Sequence, residues 1–254
     1  MLALIASAKR MTWTDFWNSD TPIYVNERHK LLHYRLIARD IIKLLPSRAA
    51  RVLDYGCGEA LSAREVAAQC QSLTLVDAAP RVREKLGERF APVANINVAS
   101  PEDIAALPAG SFDLVIINSV LQYLTKDEAA AVFATLRGKL APGGRLVLAD
   151  ILQPGVSPLA DVKALLGFGW TGGFLGAACL GLVRTALSDY RKLRGQLGLT
   201  HYSEGEIIAA LTAAGFSAHR QRPNIGHNQD RMLIIAEPIP ARVEMPAETA
   251  PAAV

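Results

Sequence analysis

Short apolar runs alternate with helical patterns through the middle of the chain. Val52–Leu53, Leu73–Val76, Asn95–Val98, Phe112–Asn118 and Arg145–Ala149 read as strands. The run Phe112–Asn118 is almost unbroken, as expected of a parallel strand covered on both faces. Between them lie helix patterns at Ser62–Cys70, Pro80–Phe90 and Lys126–Leu140. The last stops at Pro142-Gly143-Gly144, whose glycines can take positive φ. This alternation predicts an α/β fold with a doubly wound, mostly parallel sheet. Upstream, Tyr24, His29, His33, Tyr34, Leu36, Ile37, Ile41 and Leu44 recur at helical spacing before Pro46, predicting a helical cover. Downstream, Ser203-Glu204-Gly205-Glu206 is a capping box. It opens a helix (Ile207–Ala214) that ends at Gly215, and two short strands follow near Phe216–Arg222 and Arg231–Ala236.

At 254 residues, half of them hydrophobic and a fifth charged, the chain suits one large α/β domain with a substantial core. The expected organisation is a cover over residues 1–45, a domain over 46–237 with an insert at about 155–200, and a proline-bearing tail over 238–254 that reads as disordered. Met1–Ala8 is apolar, but Lys9 and Arg10 follow it, the wrong polarity for a secretory signal; Met11 is an alternative start. A net charge of +3 is too small to argue for nucleic acid. The three cysteines, Cys57, Cys70 and Cys179, form no C-x-x-C pair, which argues against a disulfide framework and a zinc site. Residues 164–183 carry no charge over twenty positions, long enough to raise a membrane span. Six glycines in that stretch argue instead for a buried helical hairpin or a mobile apolar lid. Arg184, Arg191, Lys192 and Arg194 follow it, as an interfacial helix would require.

The chemistry concentrates at residues 51–61, Arg-Val-Leu-Asp-Tyr-Gly-Cys-Gly-Glu-Ala-Leu. A strand delivers Asp54 into a turn built on Gly56 and Gly58. Nineteen residues beyond Gly58 the next strand ends at Asp77, followed by Ala78. In an open α/β sheet the ligand lies over the carboxyl ends of the strands, where an acid can hold a ribose diol. A dinucleotide site would place a third glycine at Leu61. An extra carboxylate at Asp54 would repel a pyrophosphate but suits a cation.

This stretch resembles motif I of the class I S-adenosylmethionine-dependent methyltransferases. Ser111-Phe112-Asp113-Leu114-Val115 and Leu140-Ala141-Pro142-Gly143-Gly144 resemble that family's later motifs. The resemblance implies a seven-stranded Rossmann-like sheet closed by an antiparallel hairpin, with S-adenosyl-L-methionine as cofactor. It assigns Asp54, Gly56, Gly58, Asp77 and Ala78 to the cofactor, with Ser100, Pro101 and Glu102 beside adenine and Asn118 at the end of strand four. Many relatives carry an acid at the Ser100 position and a free N–H at Pro101, so Glu102 or its neighbour becomes the expected donor. Asn118 lacks the Pro-Pro-Tyr continuation of DNA amino-methylating enzymes.

His201, His227 and Tyr24 are the candidate catalytic residues, the histidines as bases; Tyr24 resembles the N-terminal tyrosine that covers the cofactor in some relatives. The expected reaction is methyl transfer to an oxygen, nitrogen or carbon of a small, lipophilic or aromatic molecule, without a metal. The expected partners are that molecule, a second copy of the chain, and a membrane surface touched through residues 164–194. The expected place is the cytoplasm, peripheral to the inner membrane face. A nicotinamide-dependent oxidoreductase and a non-catalytic binding module are the alternatives.

Overall fold

The computed structural model describes residues 12–18, 24–186 and 198–240. Its seven-stranded sheet contains β1 (Arg51–Tyr55), β2 (Ser72–Val76), β3 (Ile96–Ala99), β4 (Phe112–Asn118), β5 (Leu140–Ile151), β6 (Phe216–Gln221) and β7 (Met232–Pro238) in the order β3-β2-β1-β4-β5-β7-β6. The first five strands are parallel, and β7 runs antiparallel to both β5 and β6. Strand order reverses between β1 and β4, which opens a crevice over their carboxyl ends.

Alternate residues of the central strands feed two cores. Val52, Leu73, Leu75, Leu114, Ile116 and Val147 face one side, where α2 (Glu27–Leu44), α3 (Ala63–Ala67) and α4 (Pro80–Phe90) pack. Leu53, Val76, Val115, Ile117, Leu146 and Leu148 face the other. There they meet α5 (Pro101–Ala106), α6 (Lys126–Lys139) and α9 (Glu204–Ala213). Burial of side chains such as Phe133, Leu136 and Ile207 is worth about 1.5–3 kcal/mol each, the main force holding these layers. Asp113, inside the strand-four motif, serves the frame: its carboxylate accepts from Arg51 Nε at 3.0 Å, Arg51 Nη2 at 2.9 Å and the Arg51 amide at 2.8 Å.

Two expected elements take different bounds. The helix expected over Ser62–Cys70 is α-helical only at Ala63–Ala67, because Ser62 makes no side-chain cap and the segment continues as tight turns. The Pro142-Gly143-Gly144 turn is drawn into β5, with Gly143 at φ +75° and a register shift against Phe112–Leu114.

The apolar insert corrects the spanning possibility. It is a helical hairpin, α7 (Pro158–Gly172) and α8 (Leu175–Ala186), broken at Gly173 in the left-handed conformation. No helix among the described residues is long and apolar enough to cross a membrane. The hairpin lies against the start of α2: the Gly172 carbonyl accepts from Arg28 Nε at 2.6 Å, and Gly181 has no room for a Cβ beside Val25. Residues 1–11, 19–23, 187–197 and 241–254, including the apolar leader, Arg191, Lys192, Arg194 and most of the proline-bearing tail, lie outside the described residues.

Candidate active site

The crevice at the β1/β4 switch deepens into a cavity of about 1410 Å³. Asp54, Gly56, Gly58, Asp77, Ala78, Pro101, Asn118, Tyr24 and His227 all line it. At its base, β1 turns sharply: the amides of Gly56 and Cys57 both donate to the Val76 carbonyl, at 2.7 and 3.0 Å. Gly56 sits at φ +80°, and a Cβ there would fall 2.3 Å from Val120 Cγ2. Only glycine fits both the conformation and the space. The turn is held from above by Tyr34 of α2, whose hydroxyl accepts from the Glu59 amide at 3.0 Å.

Asp77 is fixed by two amides: Oδ2 accepts from Gly58 at 3.1 Å and Oδ1 from Ala79 at 2.8 Å. Each oxygen keeps a lone pair for a diol. Arg83 pins the same corner by donating to the carbonyls of Asp77 and Ala78, at 2.8 and 2.9 Å. Burial pushes the Asp77 acid up, partly offset by those amides and by Arg83. Burial, with the charge of Asp77, pushes Asp54 up to about 7. A buried acid so raised gains most from a neighbouring cation. A glycine cradle, a diol-binding acid and an acid in want of positive charge fit S-adenosylmethionine, with its ribose, sulfonium and ammonium.

Three expected residues do not reach the cavity. Ser100 and Asp103 cap each other at the start of α5, the Ser100 amide donating to Asp103 Oδ2 at 2.8 Å and the Asp103 amide to Ser100 Oγ at 3.2 Å. That reciprocal cap, with Pro101 at the first helical position, leaves Pro101 alone of Ser100, Pro101 and Glu102 in the cavity wall. His201 is exposed and lies outside the lining. The segment around it is extended: the Tyr202 amide donates to the Leu152 carbonyl and the Tyr202 ring is buried, so the preceding side chain turns to solvent.

Three histidines converge over the site. His29 and His33, one helical turn apart on α2, stand 6.4 and 6.0 Å from His227 between ring centroids. The insert closes on them. Phe168 lies nearly flat on His227 at 4.7 Å, and Phe174 stacks on His29 at 5.0 Å. Burial, then the neighbouring imidazoles, lowers His29 to about 4 and His33 to about 3. His227 is lowered too, by burial, although the Asp161 carboxylate opposes that. Lowered below the ordinary imidazole value, all three stand neutral at physiological pH. Tyr24 is the opposite case: burial raises its phenol to about 12, so it stays protonated and serves as a wall.

The far wall carries residues that the sequence reading did not single out. Ser119, just past β4, and Asp150, near the end of β5, sit at φ +59° and +57°, and Ser119 Oγ donates to Asp150 Oδ2 at 2.6 Å. Left-handed non-glycine residues concentrate at functional sites, where surrounding bonds hold them. Burial raises the Asp150 acid, opposed by Arg231 and Ser119. Arg231 Nη2 and Asn228 Nδ2 both donate to Asp161 Oδ1 of α7, at 2.6 and 2.9 Å, tying the lid to the His227 loop. The rule that ligands lie beyond strand carboxyl ends singles out Asp150, and the four-residue spacing of His29 and His33 puts both on one helix face.

Residues 53–148 match the family model described as a methyltransferase domain. The ubiquinone biosynthesis O-methyltransferase of Xanthomonas oryzae pv. oryzae (strain PXO99A) is 33% identical over 156 residues, 60% of this chain and 61% of the relative. The match thus spans less than two thirds of the relative's length. Among solved structures, the magnesium protoporphyrin IX methyltransferase of Synechocystis, with bound S-adenosylhomocysteine, superposes with a TM-score of 0.51 at 18% identity, covering 87% of this chain and 90% of that one. Human N-acetylserotonin methyltransferase, in complex with S-adenosylmethionine, gives a TM-score of 0.56 at 16% identity, covering 91% and 60%. The fold is a Rossmann-like α/β domain with its crevice over β1 and β4. Residues 53–148 carry a methyltransferase domain, and over that core the chain is similar to the class I S-adenosylmethionine-dependent methyltransferases. The nicotinamide alternative gains no support from these matches.

Proposed function

We propose that the protein transfers the methyl group of S-adenosylmethionine to a hydroxyl of a small, apolar, aromatic molecule. The observation that carries this reading is the juxtaposition, over one cavity, of the Asp54–Gly56–Gly58–Asp77 cradle with neutral His227 under an apolar lid. The relatives named for ubiquinone biosynthesis support an apolar phenolic acceptor. S-adenosylmethionine supplies a methyl carbon already activated by its sulfonium, so the chain's own residues need to bind, align and manage one proton.

Asp77 would hold the ribose diol, and Asp54 would meet the positive charge. The glycine turn lets the backbone approach closely, and Asn118 stands at the end of β4 beside the acceptor. His227 takes the hydroxyl proton as the oxygen gains its methyl group. Phe168, Leu165 and Tyr24 exclude water around it. Alignment of the two reactants supplies much of the acceleration.

The outer side of the lid supports contact with lipid. Leu159, Trp170 and Leu180 are 74%, 75% and 51% exposed on α7 and α8. We place an apolar acceptor's entry there, from a membrane surface; a homodimer through the same face is the competing outcome. The test is transfer of radiolabelled methyl from S-adenosylmethionine to a panel of phenols and catechols of increasing apolar chain length. Turnover that rises with chain length supports the reading, and labelling of none of them, or only of charged amines, removes it.

A further inference from the structure

The loop after β3, where the resemblance puts adenine, keeps its polar atoms to itself. Ser100 and Asp103 bond each other as the cap of α5, and Glu102 stays out of the cavity wall. Pro101, which does line the cavity, has no amide hydrogen to give. A base beside it meets no hydrogen-bonding side chain from this loop.

The same cavity is lined by Trp13, Trp17 and Tyr123. The two tryptophans stand four residues apart on α1 (Trp13–Trp17), hence on one face of it. Their rings meet that of Tyr123, in the tight turn after β4, at 4.6 and 5.5 Å between centroids. Phe16 is buried and outside the lining, so α1 docks by that side chain and turns its tryptophans to the cavity. The helix is fixed at both ends. Thr12 and Asp15 cap its start, the Asp15 amide donating to Thr12 Oγ1 at 3.1 Å and the Thr12 amide to Asp15 Oδ2 at 2.9 Å. At its end Asn18 Oδ1 accepts from the Arg81 amide at 2.9 Å, on the first turn of α4. The helix therefore links the segments after β2 and β4, the two strands that flank β1 and its glycine turn. Trp13, Trp17 and Tyr123 belong to neither core and are half-buried. Aromatic side chains at a concave surface are the common lining of a ligand site.

We propose that Trp13, Trp17 and Tyr123 form the adenine subsite, holding the base of S-adenosylmethionine by its faces in place of polar contacts from the loop after β3. Every base has a π-face, so stacking requires no particular hydrogen-bonding atom. The occupant is the base and not the acceptor because of where α1 is tied. Asp77, the ribose acid, ends β2 just before the α4 turn that Asn18 holds, whereas His227 packs on Phe168 of the hairpin. This inference rests on the cavity taking S-adenosylmethionine, and its test reads binding without turnover.

The measurement is an intermolecular nuclear Overhauser spectrum of the full-length protein, labelled at its tryptophans and saturated with S-adenosylhomocysteine. The chain has three tryptophans, and Trp170→Phe assigns the third. The expected result is cross-peaks from the indole of Trp13 or Trp17 to the C2 and C8 protons of adenine, and none from Trp170. Trp17→Ala and Tyr123→Ala should each weaken S-adenosylhomocysteine and 5′-methylthioadenosine by the same factor, about 5- to 100-fold, as expected for one lost stacking partner. Tyr123→Phe, which keeps the ring, should bind both as the unaltered protein does. Binding of S-adenosylhomocysteine without any indole–adenine cross-peak overturns the proposal whether or not the variants fold. So does a loss confined to S-adenosylhomocysteine, which would place the effect at the amino-acid end. An unaltered protein that binds neither compound removes the methyltransferase reading and this inference with it.

Discussion

Asp54 and Asp77 show how two acids at the ends of neighbouring strands, beside the same turn, take different parts. Asp77 is held by the amides of Gly58 and Ala79, and its free lone pairs face the cavity. Asp77→Ala should weaken S-adenosylmethionine binding by about 1–3 kcal/mol, the range for a lost partner of buried polar groups, as read by calorimetry. An unchanged dissociation constant would contradict the ribose assignment. Asp54, raised from 3.8 to about 7, titrates differently in folded and unfolded chains. A raised acid contributes stability that is fully present below its unfolded pKa and is lost as pH rises through the folded one. Between pH 3.8 and about 7 the free protein should therefore lose melting temperature relative to Asp54→Asn, which has no such titration. Parallel melting profiles for the two proteins would show that Asp54 is not the buried acid described. Asp54 stood out in the sequence because strand, acid and turn lie within one short segment, and Asp77 because it closes the next strand, nineteen residues beyond Gly58. The place of His201 was not legible, since it depends on which of two neighbours, His201 or Tyr202, turns inward from an extended segment. Ser100 and Glu102 stay out of the cavity wall for a local reason: serine, proline and an acid at the third helical position form a helix cap.

At the scale of elements, the strand-and-helix alternation gave bounds within a few residues for the sheet, because buried parallel strands and amphipathic helices carry strong periodicity. The insert was ambiguous because composition alone separates poorly between span, core and lid. The structure decides by its contacts: Gly173 breaks the run, Phe168 and Phe174 turn inward onto imidazoles, and Trp170 turns out. The hairpin is held at one end by Arg28 on the Gly172 carbonyl and at the other by Asp161 on Arg231 and Asn228. Arg28→Ala should speed amide hydrogen exchange across residues 158–186 several-fold while leaving β1 and β4 unchanged, since local opening reports local contacts. Uniform exchange across the whole chain would mean that the hairpin is part of the common core. The same reasoning separates the two faces of the lid. Serine at Leu159, Trp170 and Leu180 should abolish sedimentation with anionic liposomes and spare cofactor binding, because these side chains point away from the cavity. Retained vesicle binding would contradict lipid contact through this face.

Taken as one body, the molecule places a rigid sheet beneath a cover made from its N-terminal helices and a hairpin inserted after β5. The sheet carries the cofactor side, with residues the family motifs mark plainly. Between cover and hairpin, His29, His33 and His227 meet only through packing of segments far apart in the chain. That difference explains why the cofactor motifs were readable in the sequence and the histidine cluster was not. Among the described residues no group of three or more His, Cys, Asp or Glu side chains is arranged to hold a metal ion. Cofactor binding and turnover should accordingly be unchanged by a chelator. Loss with EDTA and recovery with Mg²⁺ would place the chemistry elsewhere. The central claim is that the cavity over β1 and β4 is built for S-adenosylmethionine, and calorimetric titration of the purified protein with S-adenosylmethionine and with NAD tests it most directly. The account predicts saturable one-to-one binding of S-adenosylmethionine, strengthening as pH rises through about 7 as Asp54 ionises, and no binding of NAD. Saturable NAD binding, or no heat with S-adenosylmethionine at any pH, would contradict it.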